Sequence, residues 1–240
     1  GGKRITGWKH EEGGVWSADA GDAISGRKPF RNLFKNGQRL VRSRQPNGKG
    51  VLNITGVEKK FRDVTVRQEL PGRIVPADNA ELVVIENWSI SRTKIDHDEK
   101  ASGTKLMLTK PAGHTEHSAL VPRAGMVCFI ENARAFLDAP DEWFLDSASG
   151  KLYFFAADGE DPNSEEFIAP LIEKLVTVSG DSRRTAKNIS FENISFEHTD
   201  FNFNSDKFAG TQAGFYTNGV SSPSFEDSLS EPAAVELLFA

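Results

Sequence analysis

The sequence predicts an all-β chain, with antiparallel hairpins through its middle and short parallel β-helix rungs towards its end. Three observations carry this. In 240 residues, 21 Gly and 11 Pro punctuate many short runs of alternating apolar residues, a pattern of strands and turns and not of helix bundles. Asn36-Gly37 sits between two such runs and supplies the pair of positive-φ residues that a two-residue hairpin turn requires. Finally, Asn188-Ile189-Ser190-Phe191-Glu192 is followed at once by the same five residues, Asn193 to Glu197.

Taken in order, Phe30 to Val41 forms the hairpin around Asn36-Gly37. Strands are expected over Phe61 to Gln68, Glu81 to Ile90, Lys105 to Thr109 and Met126 to Ile130. A second hairpin runs from Glu142-Trp143-Phe144-Leu145-Asp146 to Lys151-Leu152-Tyr153-Phe154-Phe155, with Gly150 free to take a left-handed conformation in the loop. Six or more antiparallel strands over this stretch suggest a sandwich or barrel-like unit. Glu165 to Val176 has apolar spacing that fits a helix, yet Pro170 would clash with the preceding turn inside one. Periodicity leaves that segment open.

The duplicated pentad is more informative. Its apolar residues fall at odd positions in the first copy and even positions in the second, and a continuous strand keeps its parity. The chain must therefore turn near Glu192-Asn193, with Asn193 suited to a left-handed corner. Short strands joined by such corners, each turning Ile and Phe inward, are what a parallel β-helix rung requires.

Composition removes several functions. Lys+Arg 29 against Asp+Glu 34 gives a net charge of −5 with both signs interspersed, so no basic field exists to attract nucleic acid. No apolar run approaches the ~18 residues of a membrane span, so no membrane insertion is expected. The single Cys128 lies in Val127-Cys128-Phe129-Ile130 and reads as a buried thiol. His114-Thr115-Glu116-His117 lacks the His-Glu-x-x-His spacing of a zinc helix. Asp96-His97-Asp98-Glu99 lacks the glycine and distal glutamate of a calcium loop and reads as a charged turn. No phosphate loop, nucleophile elbow or dinucleotide fingerprint is present, and neither a metal nor a cofactor is expected. The Asn-x-Ser/Thr triplets at Asn53, Asn87, Asn188 and Asn193 read as polar residues at strand edges, and Trp88 and Trp143 as core residues.

Gly1-Gly2-Lys3-Arg4-Ile5-Thr6-Gly7-Trp8, Phe30 to Arg39, Arg42-Ser43-Arg44-Gln45-Pro46-Asn47, and above all Glu131-Asn132 through Leu137-Asp138-Ala139-Pro140-Asp141-Glu142-Trp143-Phe144-Leu145-Asp146 carry a resemblance that runs over nearly the whole chain. These motifs resemble bacterial right-handed parallel β-helix glycoside hydrolases of the pectin-lyase-like fold, the group with α-L-fucosidase and xylanase members. Asp141 departs from the glycine usual at that place. The resemblance implies a partial right-handed parallel β-helix interrupted by an inserted antiparallel β-sandwich-like domain. Residues 1–28 would be early rungs, 29–158 the insert and 159–240 the continuing helix. Both ends would then be cut, making the chain an internal fragment of a secreted or periplasmic parent whose leader lies upstream of Gly1.

Such enzymes imply a polysaccharide or oligosaccharide partner and hydrolysis by two carboxyl groups, one protonated and one ionised. The resemblance puts that pair on later rungs, beyond Ala240. Glu192 and Glu197 point outward if Ile and Phe point in, and read as solvated. His198-Thr199-Asp200-Phe201 leads into a polar-aromatic loop, and His198, Asp200, Asp206, Gln212 and Tyr216 are the candidates for a sugar-binding surface, with Phe208 beside them. The competing reading is that His198 and Asp200 brace the loop by bonding nearby backbone. Arg42 and Arg44 flank the exit of the first hairpin, where a guanidinium could brace a carboxylate across the domain junction. A non-catalytic carbohydrate-binding or adhesive module would present the same groove without an acid/base pair, and a polysaccharide lyase would need a base to abstract a C5 proton, with calcium or an arginine to neutralise a uronate.

Overall fold

A computed structural model describes residues 1–87, 89–101, 103–113, 121–202, 207–209, 216–217, 228–229 and 233–238. The strands in chain order are β1 (Gly2–Ile5), β2 (Lys9–His10), β3 (Val15–Asp19), β4 (Phe34–Lys35), β5 (Gln38–Arg39), β6 (Val41–Arg42), β7 (Arg44–Gln45), β8 (Leu52–Glu58), β9 (Asp63–Val66), β10 (Glu81–Ile85) and β11 (Ile90–Ala101). They continue with β12 (Gly103–Leu108), β13 (Val127–Glu131), β14 (Glu142–Asp146), β15 (Lys151–Phe155), β16 (Phe167–Pro170), β17 (Val176–Ser179), β18 (Lys207–Ala209), β19 (Tyr216–Thr217), β20 (Ser228–Leu229) and β21 (Val235–Leu238).

Six of these close an antiparallel barrel. Around the ring β10 pairs with β13, β13 with β8, β8 with β9, β9 with β12, β12 with β11, and β11 returns to β10. Closure depends on the twelve-residue β11, whose first half pairs with β10 and whose second half pairs with β12 across a register shift between Ile95 and His97. A bulge of that kind bends a strand and steepens its twist, which lets one strand serve two neighbours around a corner. Leu52, Ile54, Val64, Val66, Leu82, Val84, Ile95, Leu106, Cys128 and Ile130 fill the inside as one cluster. The barrel is therefore a packed core, as expected for so few strands.

Beside it lies a second core between two sheets, one of order β1-β16-β4-β5 and one of order β2-β3-β15-β14-β6. Ile5, Trp8, Ala18, Leu33, Trp143, Leu152, Phe154 and Phe167 fill this core. Trp8, Phe154 and Phe167 meet with centroids 4.7 to 5.9 Å apart at tilted or edge-on angles, and Phe30 stacks on Trp143 at 5.6 Å. These are the separations at which ring quadrupoles attract. Both hairpins form as their turn residues require: Asn36 and Gly37 have φ of 51° and 78°, and Gly150 has φ of 75°.

The parallel β-helix does not form. Among the described residues only β14–β6 and β17–β21 pair in parallel, while β1 and β3, in the stretch expected to hold early rungs, pair antiparallel with β16 and β15. The middle of the chain closes into a barrel and not an open sandwich. The pentads are not inward-facing strands either: Asn188, Asn193 and His198 have φ of 61°, 56° and 60°, so the chain turns every five residues. Asn193 takes the expected left-handed corner, but Ile189, Phe191 and Ile194 are exposed, and no strand is assigned over Asn188 to His198.

Two smaller expectations are also corrected or resolved. Asp96 to Glu99 lies within β11 and is not a turn; Asp98 points into a fully buried place because its Oδ1 accepts the Ile74 amide at 2.8 Å. Within Glu165 to Val176, Phe167–Pro170 forms β16, with Pro170 ending it opposite Gly2, and β17 begins at Val176. Trp143 is wholly buried, whereas Trp88 and His114 to His117 lie outside the described residues.

Candidate functional site

The barrel meets the two-sheet core through a cluster of charge. Glu81 opens β10 and Glu131 ends β13, and the antiparallel register sets them directly opposite one another. Two carboxylates so placed repel. Three guanidinium groups offset this: Arg31 from the loop before β4, Arg42 from β6, and Arg92 from β11. Arg31 grips Glu81 with both terminal nitrogens, Nη2 at 2.6 Å from Oε2. Arg42 Nη1 lies 3.2 Å from Glu81 Oε2 and 3.0 Å from Glu131 Oε1, and Arg92 donates to the same Glu131 oxygen. Two-pronged pairing of this kind is the strongest form of the interaction.

The Glu81 side chain is only 2% exposed. Burial works against its charge, but Arg31 and Arg42, with Arg92 further off, overcome it and hold the carboxyl well below the usual carboxylate range. A carboxylate so clamped is a structural counter-ion and a poor proton donor. Asn132, which follows Glu131, completes the joint: at φ of 64° it donates from Nδ2 to the Asp78 carbonyl at 2.7 Å, and its Oδ1 accepts from Arg42 Nε at 3.3 Å.

Two of the residues predicted to contact sugar reach this joint. Asp200 is buried, and its carboxylate accepts the Arg31 amide at 3.0 Å, the Asn32 side-chain amide at 3.0 Å and the Asn202 side-chain amide at 2.6 Å. Burial pushes its carboxyl upward against those hydrogen bonds. Arg31 thus donates to Asp200 through its backbone and to Glu81 through its side chain, a continuous link from the 198–202 segment to the barrel. His198 packs edge-on against Phe34 with centroids 4.9 Å apart, and its Nε2 is enclosed without a hydrogen-bond partner among the described residues. Asp200 bonds one backbone and two side-chain amides, the geometry that the bracing reading describes. Asp206 and Gln212 lie outside the described residues; Tyr216 is described only as backbone in β19. Glu192 and Glu197 are exposed.

Of the two arginines expected to brace a carboxylate, Arg42 does so. Arg44 does not: it donates to the carbonyls of Pro46 and Gly50, both at 2.9 Å, and its guanidinium stacks 3.9 Å from the Phe129 ring centre. Arg31, Glu81, Glu131 and Arg92 were not foreseen as a group. Their one sequence signal is a charge abutting an apolar run, before Leu82-Val83-Val84 and after Cys128-Phe129-Ile130, which a single strand cannot tell from a solvated rim.

The sequence model of the GH141 insertion domain matches residues 13–157. That span contains the whole barrel, all five residues of the charged cluster and the hairpin of β14 and β15. No curated protein matches the chain. A solved structure described as a glycoside hydrolase superposes with a TM-score of 0.72 at 30% identity, over 84% of this chain and 36% of its own. The chain thus spans about a third of that protein's length. With more than half of its residues matched by the family model, the chain belongs to the GH141 insertion domain family.

Proposed function

We propose that this chain is the frame-building part of a glycoside hydrolase that cleaves polysaccharide by acid/base catalysis between two carboxyl groups, with that pair supplied from outside these 240 residues. The observation that carries the reading is the family match over residues 13–157, with the charged joint that lies inside it as the supporting geometry. Glu81 and Glu131 are saturated by three guanidinium groups, and Asp200 beyond them by three amides. A carboxylate clamped as Glu81 is fixes geometry and is a poor proton donor. The chain's role is to seat the barrel rigidly against the two-sheet core, and His198, Asp200, Asp206, Gln212 and Tyr216 stay its candidates for contact with sugar. A polysaccharide substrate lies outside the cell, so the same reading has the parent exported to the periplasm or beyond.

The test is an assay of the longer natural polypeptide against plant and host polysaccharides. Release of reducing ends without new ultraviolet absorbance supports hydrolysis. An unsaturated, absorbing product would replace this reading with a lyase. Retardation on polysaccharide gels with neither product would replace it with a binding module.

A further inference from the structure

The stretch that leads into Asp200 lies bare on the surface. From Asp181 to Glu197 every residue but Ala186 and Phe196 is exposed. Ile189, Phe191 and Ile194 are 53%, 41% and 58% exposed. A lone exposed isoleucine needs no explanation, but three large apolar side chains within six residues make a patch that calls for a partner. Phe191 lies edge-on to Phe196 with ring centres 5.6 Å apart, so the patch continues across the Asn193 corner. The backbone is open as well: among the described residues no amide from Thr185 to Thr199 finds an acceptor within the fold. Charge is sorted along the same stretch. Arg183, Arg184 and Lys187 precede the patch, whereas Glu192 and Glu197 lie within and after it. The two groups do not satisfy each other. Arg184 reaches only Asp181, at 3.6 Å with its side chain 90% exposed, and Glu192 accepts the Ser190 hydroxyl at 2.9 Å.

We propose that this face joins two copies of the chain about a two-fold axis, the basic end of each copy meeting the acidic end of the other and the apolar patches closing between them. A two-fold contact must be complementary to itself, and a surface ordered basic, apolar, acidic meets that condition only when the second copy runs the opposite way. The parallel arrangement would set like charges together. An apolar centre gives such an interface its affinity, and the charges around it fix register and exclude wrong partners. The open amides supply a third complementarity, since extended backbone from two copies can pair across the axis.

The experiment is sedimentation of the 240-residue protein from about 1 to 100 μM. A species of twice the chain mass is expected to grow with concentration and to retreat as salt rises from about 0.1 to 1 M, where exposed charges are screened. Arg183→Glu, Arg184→Glu and Lys187→Glu together make both ends acidic; Glu192→Lys with Glu197→Lys makes both basic. Each set alone should raise the dissociation constant about tenfold or more, and an equimolar mixture of the two should restore pairing. Ile194→Asp should abolish the dimer at every salt concentration. All these side chains are exposed and outside strands, so melts level with wild type are expected, and the wild-type concentration series decides the matter if a variant folds poorly. A monomer at every concentration, or a dimer indifferent to both charge reversals, would overturn the proposal. So would a longer natural polypeptide that stays monomeric while the 240 residues pair, because the rest of the parent would then occupy this face. None of these outcomes bears on the hydrolysis assay, so the two readings fail separately.

Discussion

Replacing Glu81 by Gln tests whether the charged joint holds the two cores together. The substitution keeps volume and one acceptor oxygen but leaves Arg31 and Arg42 without their main counter-ion, in a place where the Glu81 side chain is 2% and the Arg42 side chain 11% exposed. Breaking a buried pair from one side costs about 3–5 kcal/mol, because the remaining charge has been stripped of water without compensation. Glu131 still faces Arg42 and Arg92, so the lower half of that range applies to Glu81→Gln. For a chain of this size each kcal/mol moves the melting temperature by roughly 2–4 °C, so a fall of about 6–16 °C is expected. Urea unfolding at neutral pH, read by tryptophan fluorescence, measures it directly. The sign with pH follows from the depressed carboxyl. Its stabilisation is present above the ordinary carboxylate range and disappears as pH falls below it, so wild type and variant should converge in acid. A loss under about 1 kcal/mol at neutral pH, or a constant gap down into acid, would refute the claim that Glu81 is the keystone.

Three further outcomes follow from particular contacts. Gly103→Ala should cost about 2–4 kcal/mol, since φ is 97° there and a Cβ would stand 2.3 Å from the Val66 carbonyl oxygen; a chemical melt checks it. Cys128 is buried in the barrel and burial pushes its thiol up to about 12, so a thiol reagent should label it only on unfolding, and rapid native labelling would contradict the packing. Arg44→Lys should lower stability by about 1–2 kcal/mol through loss of the Gly50 hydrogen bond and the Phe129 contact, without altering the acid convergence tested at Glu81; a change in that convergence would place Arg44 back in the carboxylate network.

What the sequence made legible was local. Asn36-Gly37 and Gly150 specify their turns through backbone conformation alone, and the strands beside them alternate plainly. Asp141 shows the same logic in reverse: the family resemblance implies glycine at its place, φ there is 66°, and Asp is among the few other residues that tolerate it. Asn193 was readable from parity alone. Barrel closure was hidden because β11 carries Asp96, His97, Asp98 and Glu99 through its bulge, and a buried Asp98 is comprehensible only once the Ile74 amide is known to meet it. The charged joint was hidden for a related reason. Arg31 and Glu81 are 50 residues apart, and nothing in either neighbourhood announces the other. The pentads misled because alternation describes how side chains would sort in a strand and not whether five residues between left-handed corners extend into one.

The joint also explains how two cores built from interleaved chain can behave as one body. The barrel alone would carry Glu81 opposite Glu131, a like-charge pair on its outer wall with only Arg92 to relieve it. The two-sheet core alone would carry Arg31 and Arg42 without Glu81 and Glu131, the carboxylates that their guanidinium groups share. Each unit is therefore incomplete in its charge, and docking corrects both deficits at once. An apolar contact of equal area would stabilise as well but would tolerate sliding. The two-pronged grip of Arg31 on Glu81 tolerates neither rotation nor a shift of one residue in the β10–β13 register, since either would carry a carboxylate away from its guanidinium. Because Arg31 also donates its amide to Asp200, the orientation of the barrel is transmitted to the 198–202 segment through one residue.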